Sequence, residues 1–543
     1  MKKYLGVELG STRIKGVVID ESFVPVESGD FEWESTYDHG IWTYDLADAR
    51  EGLCQVLSQL KDREGLAAAG ISGMMHGYLA FDKDWNLLVP FRTWQNTITA
   101  DAAEQLTELF QFNVPQRWSI AHLYQAILNG EAHVSQIAHI TTLSSYVHYM
   151  LTGENVVGVG EASGMFPIDS ATGNWNEEML KKFEALTQDQ PWNIRDVLPR
   201  VLLAGQDAGR LTAEGSAWVK GLLPEGLPFA PPEGDAGTGM VATNAVAPRT
   251  GNVSAGTSIF AMVVLEKPLS KVYTEIDVVT TPSGKDVAMV HCNNCTSDIN
   301  AWIGLLRETL GLFGCNVSAG EVFTKLYQKS LEGEADCGGV LVYNYMAGEG
   351  ITHLDAGRSL VVRKPDSHFS LANFMRSSVY AEIATMRLGM DILAEEQVKI
   401  DSMTGHGGIF KTPGVAQRYL AAACNASITC METAGEGGPY GIALLAAFMD
   451  EHQLPLEEFL RQRVFVHAKI TTAQPDPAEV EGFARYLAAY DKGLDVERHR
   501  GGKNLTGRDH LGKQEISHRP LRKGHALLSE LGGEAQVRPG LRL

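Results

Sequence analysis

The sequence predicts an α/β protein built from two related halves. Residues 5–19 form two apolar runs joined by a Gly-Ser-Thr tip at 10–12, and residues 251–264 repeat the pattern around a Gly-Thr-Ser tip at 256–258. Apolar runs of strand type alternate with segments whose apolar residues recur every three or four positions, which is typical of amphipathic helices. The chain has 543 residues, more than the roughly 250–300 that a single core supports. We therefore predict a duplicated fold with more than one domain.

The first half is predicted to continue from its hairpin into further strands and helices. We expect a strand at 29–33, then a helix from residue 46 with Asp45 as its N-cap. The apolar residues 67–73 predict a buried strand that ends in a loop at 74–77. Helical spacing predicts helices at 101–110, 121–128 and 144–151.

The second half shows the same alternation. A strand is predicted at 287–291, and a glycine-rich turn at 404–412 precedes Pro413, which is favoured at the first position of a helix. The predicted helices are 297–310, 371–396, 414–424, 441–448 and 475–490.

Composition divides the chain into three predicted segments. Glycine and proline are frequent at 205–234, and the second hairpin follows soon after, so we expect a boundary near residue 245. The predicted domains are residues 1–245 and 246–497. Residues 498–543 are basic and weakly periodic, which indicates a disordered extension or an artefact of the reading frame.

The charge and cysteine content restrict the partners. A net charge of −20 argues against nucleic acid or an anionic membrane as the main partner. No window approaches the ~18–20 apolar residues of a membrane helix, and the N-terminus lacks a signal-peptide core, so we expect a cytoplasmic protein. Seven cysteines without framework spacing are typical of a reducing compartment; Cys292 and Cys295 are expected to be ordinary buried or partly buried thiols, with a redox pair as the alternative. A homodimer is left open.

The two tips have the composition of anion-binding turns. Glycine removes the Cβ that would block close approach, and backbone N–H groups with two hydroxyls can donate to phosphate oxygens. Two such tips suggest that one polyphosphate is gripped from both sides. An acidic protein must hold such a ligand through backbone N–H groups, a few basic side chains and a divalent cation.

Several motifs together resemble a known family. The paired hairpins, Gly234-Asp235 and the turn from Gly407 to Pro413 occur in the same order as in the FGGY carbohydrate kinases, and the resemblance covers residues 4–495. Residues 151–154 with 161–164 are similar to the family's LTGE…DAS stretch, and 345–349 to its YLSGE loop. The resemblance implies two actin-like (ribonuclease H-like) domains with a cleft between them. It also implies ATP-dependent phosphorylation of a sugar or polyol hydroxyl.

The resemblance assigns the chemical roles. Asp235 matches the family's catalytic aspartate and would take the proton of the attacking hydroxyl, while Glu8 stands where the family usually carries the aspartate that holds Mg²⁺ through water. The residues expected to bind ATP are Gly10, Ser11, Thr12, Lys15, Gly256, Thr257, Ser258, Gly405, Gly407, Gly408 and Lys411. Structural alternatives stay open at this stage, since Asp235 could be a turn residue and Lys15 a solvated strand residue.

The predicted sugar site consists of Met75, His76, Trp94, Gln95 and Asn96, which are similar to the QMHG and WND stretches of xylulokinases. An aromatic face can pack on the C–H side of a sugar, while amides and imidazole bond its hydroxyls. A structural histidine and a core tryptophan are the alternatives for His76 and Trp94. Met74 and Asn96 stand where xylulokinases usually carry Gln and Asp, so the substrate need not be xylulose.

The predicted function is an ATP-dependent kinase for a ketopentose such as xylulose or ribulose. A kinase for another polyol or a sugar acid, such as glycerol or gluconate, is the alternative within the enzyme class. A non-catalytic actin-like nucleotide-binding protein is the alternative outside it, because fold alone does not fix function.

Overall fold

The chain folds around two β-sheets, whose strands alternate with helices along the sequence. A computed structural model describes residues 2–61, 63, 65–431, 437–451 and 453–501. The first sheet has five strands and the second has seven. None of the helices within these ranges is both long enough and apolar enough to cross a membrane.

The first half contains the following elements. Its strands are β1 (Lys3–Leu9), β2 (Arg13–Asp20), β3 (Pro25–Glu32), β4 (Thr36–Asp38), β5 (Ile41–Thr43), β6 (Leu66–Gly73), β7 (Leu79–Phe81), β8 (His139–Thr141), β9 (Val156–Gly158), β10 (Ile168–Asp169), β11 (Asn174–Trp175), β12 (Arg200–Leu202) and β13 (Glu233–Gly234). Its helices are α1 (Leu46–Gln59), α2 (Ala100–Phe110), α3 (Ser119–Leu128), α4 (Leu143–Thr152), α5 (Val159–Ala162), α6 (Glu177–Leu186), α7 (Ile194–Val197), α8 (Ala213–Trp218) and α9 (Asp235–Ala242).

The first sheet has the order β13-β6-β1-β2-β3. The predicted hairpin is confirmed, since β1 and β2 pair antiparallel with Leu9 opposite Ile14. β6 pairs parallel with β1, and β13 pairs parallel with β6. β3 starts at Pro25 rather than at residue 29; it is an edge strand in which partly exposed and exposed residues alternate and only Gly29 is buried, so few apolar residues mark its start. Asp45 caps α1 as predicted, accepting from the Ala47 N–H.

The second half repeats this architecture. Its strands are β14 (Thr250–Ala255), β15 (Ile259–Val264), β16 (Asp277–Thr280), β17 (Asp286–Cys292), β18 (Val340–Asn344), β19 (Ser359–Arg363), β20 (Ser402–Gly407), β21 (Ser427–Met431) and β22 (Ile470–Ala473). Its helices are α10 (Thr296–Leu312), α11 (Ala319–Ser330), α12 (Leu371–Glu395), α13 (Val415–Cys424), α14 (Gly437–Phe448), α15 (Leu456–Phe459) and α16 (Pro477–Gly501).

The second sheet has the order β16-β17-β15-β14-β20-β21-β22. β14 pairs antiparallel with β15 and parallel with β20, and β21 extends the sheet parallel to β20. The block β13-β6-β1-β2 therefore has the same strand directions as β21-β20-β14-β15. The duplication that the sequence predicts for the hairpins extends to the strands beside them.

Two details differ from the expected elements. Pro413 lies before α13 rather than at its first position, because Gly414 adopts φ 79° and the helix starts at Val415. The basic tail was expected from residue 498, but α16 continues to Gly501. Residues 502–543 of that tail lie outside the described residues.

Helix α14 lies between β21 and β22 of the second sheet in the chain but packs on the first sheet. A Cβ on Gly6 of β1 would lie 2.0 Å from the Pro439 carbonyl oxygen, and one on Gly441 would lie 2.0 Å from the Thr238 carbonyl oxygen. These glycines let α14 approach β1 and α9 more closely than a side chain would allow. The helix thereby ties the second half to the strand that carries the first tip.

Candidate active site

A cavity of about 1070 Å³ lies between the two halves. Its lining includes Ser11 of the first tip and Ser258 of the second, with Asp235 beside them. The sequence-predicted residues that line it are Ser11, Met75, His76, Trp94, Gln95, Asn96, Asp235 and Ser258. Residues from both hairpins and from the predicted sugar site therefore share one cavity.

Asp235 is held with one carboxylate oxygen bound and the other free for a ligand. It is the first residue of α9, directly after β13. Its Oδ1 accepts the N–H groups of Met75 at 3.1 Å and of Ala236 at 2.9 Å, while no protein donor to Oδ2 is found among the described residues. Burial raises the pKa of Asp235, although these N–H groups oppose the shift. A carboxylate with a raised pKa is better matched to proton abstraction near neutral pH.

Two further carboxyl groups are buried behind Asp235. Glu233 accepts the N–H of Glu161 at 2.8 Å, and burial raises the pKa of Glu233 to about 8. Glu161 is fully buried, neither of its carboxyl oxygens has a hydrogen-bond partner in the described part of the chain, and burial raises its pKa well above the usual value. Burial thus favours the uncharged form of both groups, as it also does for Asp235.

Aromatic side chains hold the first tip in place. Trp33 Nε1 donates to the Gly10 carbonyl at 2.6 Å, and the Tyr44 hydroxyl donates to the Ser11 carbonyl at 2.6 Å. Trp94 Nε1 donates to the Ser11 hydroxyl at 3.1 Å. The predicted sugar residue Trp94 therefore touches the predicted phosphate residue Ser11, so the two subsites are contiguous.

The second tip is held by the start of a helix instead. The N–H groups of Cys295 and Thr296 donate to the carbonyls of Thr257 and Gly256 at 3.0 and 3.2 Å. The Thr296 hydroxyl also donates to the Gly256 carbonyl at 2.8 Å. These bonds fix the tip at the N-terminus of α10, and among the described residues no aromatic side chain donates to it as at the first tip.

The predicted nucleotide glycines lie beside the second tip. Gly407 pairs with Ala255, the residue before the tip; its φ is 105°, and a Cβ there would lie 2.2 Å from the Ala255 carbonyl oxygen. Gly405 is covered by the Phe410 ring, and Gly408 begins a 3₁₀ helix that ends at the exposed Lys411. Gly405, Gly407, Gly408 and Lys411 do not line the large cavity; a smaller one of about 240 Å³ adjoins Phe410, Gly414 and Gln417.

Glu8 occupies the position predicted for a metal ligand. It lies on β1 opposite Lys15 of β2, and a Cβ on Gly438 of α14 would lie 2.1 Å from its Oε1. Burial and the nearby Asp235 raise the pKa of Glu8 to about 7, against the effect of Lys15. No cluster of three or more metal-ligating side chains occurs in the part of the chain that the structure describes. Mg²⁺ bound with a nucleotide needs only one or two carboxylates, so Glu8 with Asp235 nearby fits this ion.

The predicted sugar residues fall into two groups. His76 Nδ1 lies 3.2 Å from the Gly164 carbonyl, so Nδ1 carries the proton and Nε2 is an acceptor; burial lowers the pKa of His76 well below its usual value. Gln95 is partly exposed and Trp94 is 38% exposed. The Asn96 side-chain amide bonds the protein itself: it donates to the Trp42 carbonyl and accepts the Trp42 N–H, each at 2.8 Å.

Several cavity residues were not predicted from the sequence. Arg117 and Asp277 form an ion pair across the cavity, and His291 at the end of β17 faces the same space. Glu349 lies in the predicted YLSGE-like loop and accepts the Asn293 N–H at 2.9 Å, so the family motif was a usable signal for it. For Arg117 and Asp277 the sequence offers no local motif.

All seven cysteines are free thiols. Cys292 and Cys295 are buried, as expected, and burial raises the pKa of both thiols well above the usual value. Burial thus disfavours the thiolate form of both residues, and Asn293 and Asn294 between them donate to the Glu349 carboxylate.

Comparisons with known proteins agree with this geometry. The FGGY family of carbohydrate kinases, N-terminal domain, matches residues 3–242, and the family's C-terminal domain matches residues 251–449. A xylulose kinase of Staphylococcus xylosus is 21% identical over 515 residues, covering 90% of this chain and 100% of the relative. A gluconate kinase structure from Lactobacillus acidophilus superposes with a TM-score of 0.76 at 18% identity, covering 91% of this chain and 98% of the other. A xylulose kinase structure from Rhodospirillum rubrum superposes with a TM-score of 0.75 at 18% identity, covering 92% of this chain and 100% of the other.

These matches confirm two predictions. The chain has the two-domain, actin-like α/β fold of these kinases, and its enzyme class is that of an ATP-dependent sugar kinase. The alternative of a non-catalytic nucleotide-binding protein is not supported. The chain belongs to the FGGY family of carbohydrate kinases.

Proposed function

We propose that this kinase transfers the γ-phosphoryl group of ATP to a hydroxyl of a ketopentose such as xylulose or ribulose, with Asp235 as the general base. The observation that carries the proposal is the shared cavity, in which Asp235 lies with Ser11 of the first tip and Ser258 of the second. A base, two phosphate-binding turns and a polar pocket in one space are the parts that phosphoryl transfer requires.

Asp235 would act through Oδ2. Its Oδ1 is occupied by the Met75 and Ala236 N–H groups, which fix the direction of the free oxygen. As the sugar oxygen bonds to the γ-phosphorus and the bond from that phosphorus to the β-phosphate oxygen breaks, the hydroxyl proton passes to Oδ2. ADP leaves with the electron pair of the broken bond, so atoms and charge balance.

The two tips would bind the phosphates from opposite sides. Their backbone N–H groups and hydroxyls can donate to phosphate oxygens without adding charge, which suits an acidic protein. Lys15 offers one basic group on the first side. Gly407 and Gly408 continue the surface from the second tip, where a nucleotide could lie against bare backbone.

Glu8 would hold Mg²⁺ beside the phosphates. The ion, when bound with ATP, neutralises phosphate charge. Glu8 must be deprotonated to accept it, and burial holds the pKa of Glu8 at about 7. Hence cation binding is expected to strengthen as the pH rises through neutrality.

The sugar would lie between the Trp94 ring and the neutral imidazole of His76. The Nε2 of His76 can accept a sugar hydroxyl, because Nδ1 faces the Gly164 carbonyl. Gln95 supplies an amide with both donors and an acceptor. Asn96 contributes indirectly, by tying this wall to the Trp42 backbone.

A panel of xylulose, ribulose, gluconate and glycerol in a coupled ADP-release assay tests the proposal. We expect ADP release that depends on added ketopentose, and Asp235→Asn should lower kcat by about 10²- to 10⁴-fold while ATP still binds. Asp286→Asn is the matched control, since Asp286 bonds Ser170 outside the cavity; its kcat should stay near the wild-type value.

Two results would overturn this function. Sugar-dependent turnover retained in Asp235→Asn would remove Asp235 from its role as base. Preference for gluconate or glycerol over both ketopentoses would replace the proposed acceptor by the corresponding acid or polyol.

A further inference from the structure

One ion pair bridges the two walls of the cavity away from the phosphate tips. Arg117 precedes α3 in the first half, and Asp277 begins β16 in the second; their side chains are paired. Asn113 Nδ2 donates to Asp277 Oδ1 at 3.0 Å, so both carboxylate oxygens are occupied. The Arg117 carbonyl accepts the Gly77 N–H at 3.1 Å, which joins this pair to the loop that carries His76.

The pair dominates the charge of the substrate end of the cavity. Arg117 is the one lysine or arginine in the cavity lining that the structure describes, whereas the lining carboxyl groups are Glu104, Glu108, Asp235, Glu275, Asp277 and Glu349. The Arg117 guanidinium is therefore the one cationic partner in this lining for a ligand carboxylate, and it is already paired with Asp277.

The two imidazoles of the cavity cannot substitute for that cation. Burial and the Arg117 charge lower the pKa of His76 well below its usual value. The same two causes lower the pKa of His291 to about 3. Burial and the Arg117 charge thus favour the neutral form of both rings, which disfavours the positive charge that an acidic sugar needs.

We propose that Asp277 is a specificity-determining residue that excludes sugar acids by occupying Arg117, which leaves the site selective for uncharged acceptors. This inference rests on the proposed function, because it concerns the sugar subsite of that same cavity. It predicts that loss of the Asp277 charge turns Arg117 into a receptor for a carboxylate. Loss of the Arg117 charge leaves Asp277 to repel one.

Binding of gluconate and of xylulose, measured by calorimetry on the full-length protein, tests the inference without requiring turnover. Asp277→Asn keeps the shape and one acceptor oxygen. It should raise the affinity for gluconate relative to xylulose at least about tenfold, as expected for one charge-assisted hydrogen bond. Arg117→Gln should move the same ratio in the opposite direction. A purely structural role would weaken both ligands together in both variants.

Asp286→Asn is the matched control, because it removes a different carboxylate that bonds across the two halves, to Ser170. It should leave the ratio unchanged. If Asp277→Asn does not fold, Arg117→Gln alone tests the inference. A decrease in its affinity for gluconate relative to xylulose supports the inference.

An unchanged ratio in the variants, a shift in the same direction in both, or tighter gluconate than xylulose binding by the wild type would overturn it. Absence of ADP release with any sugar in the wild type would instead count against the proposed function, and the binding ratios would still decide this inference.

Discussion

The two halves of the molecule share a backbone pattern but not a chemistry. In each half a hairpin lies beside a parallel strand, β6 for β1 and β20 for β14. In the first hairpin Glu8 faces Lys15, whereas in the second the corresponding Ser254 faces Phe260. The comparison teaches that duplication of a turn leaves each copy free to specialise. We infer that the first copy carries the charged groups and the second presents backbone to the nucleotide.

The residues that hold the two tips in place also differ between the halves. Three aromatic donors hold the first tip, and one of them, Trp94, also lines the cavity. The second tip is held by the first residues of α10 through backbone and hydroxyl bonds. We infer that the first support couples the proposed phosphate and sugar subsites, and that the second couples the proposed phosphate and nucleotide subsites.

The largest expected difference between the halves is at Glu8 and Ser254. Glu8→Gln removes the charge proposed to hold Mg²⁺, and kcat should fall on the order of 100-fold, since metal stabilisation of phosphoryl transfer is worth several kcal/mol. Ser254→Ala, the equivalent change in the second hairpin, should alter kcat less than about threefold. Steady-state kinetics at varied Mg²⁺ measures both. Equal effects of the two variants on kcat would contradict the inference that the first hairpin carries the charged groups.

Glu8→Gln should also change how the stability of the nucleotide-free protein depends on pH. The pKa of Glu8 is raised from 4.5 to about 7 in the folded chain, so the folded state binds the extra proton. The Glu8 contribution to stability is therefore present at low pH and is lost as the pH rises from 4.5 to about 7. Denaturant unfolding should show this loss in the wild type and not in Glu8→Gln; parallel pH curves would contradict the shift.

A second comparison concerns Gly256 in the second tip and Gly407 beside it. Gly407→Ala places a Cβ 2.2 Å from the Ala255 carbonyl at φ 105°, so it should lower the free energy of unfolding by roughly 1–3 kcal/mol. Gly256→Ala meets no atom within 4 Å and should keep its melting temperature. Its Cβ should nevertheless weaken ATP binding about tenfold if phosphate approaches the tip. Calorimetry measures both the stability and the ATP affinity of each variant. An unchanged ATP affinity in Gly256→Ala would contradict phosphate binding at the second tip.

The smallest expected effects separate the two supports. Trp94→Phe and Thr296→Val each remove one hydrogen bond to a tip, worth about 0.5–1.5 kcal/mol. Trp94→Phe should raise the KM for sugar more than the KM for ATP, because Trp94 lines the cavity. Thr296→Val should raise the KM for ATP and leave that for sugar. The same pattern in both variants would show that the supports are not specialised.

The parts of the site that the sequence predicts are those encoded locally. Each hairpin is one continuous segment with its own tip, and Asp235 follows a two-residue strand, so short motifs suffice to find them. Arg117 and Asp277 are 160 positions apart and meet only because the two halves close on one cavity. No local pattern marks either residue.

Other features depend on packing that no local pattern shows. Asn96 resembles a sugar ligand in sequence, yet its amide bonds the Trp42 backbone, a contact that depends on where the β4–β5 hairpin folds. α14 has the composition of a buried helix, but Gly6, which permits its close approach to β1, lies far away in the sequence. The residue assignments and the boundary near 245 stay predictions.

The central claim is that both tips hold the same phosphoryl group while Asp235 faces the acceptor. A crystal structure with a non-hydrolysable ATP analogue, Mg²⁺ and xylulose tests it most directly. We predict γ-phosphate oxygens within hydrogen-bonding distance of both residues 10–12 and 256–258, with a sugar hydroxyl beside Asp235 Oδ2. A γ-phosphate that contacts only one tip, or a sugar hydroxyl out of reach of Asp235, would contradict the account.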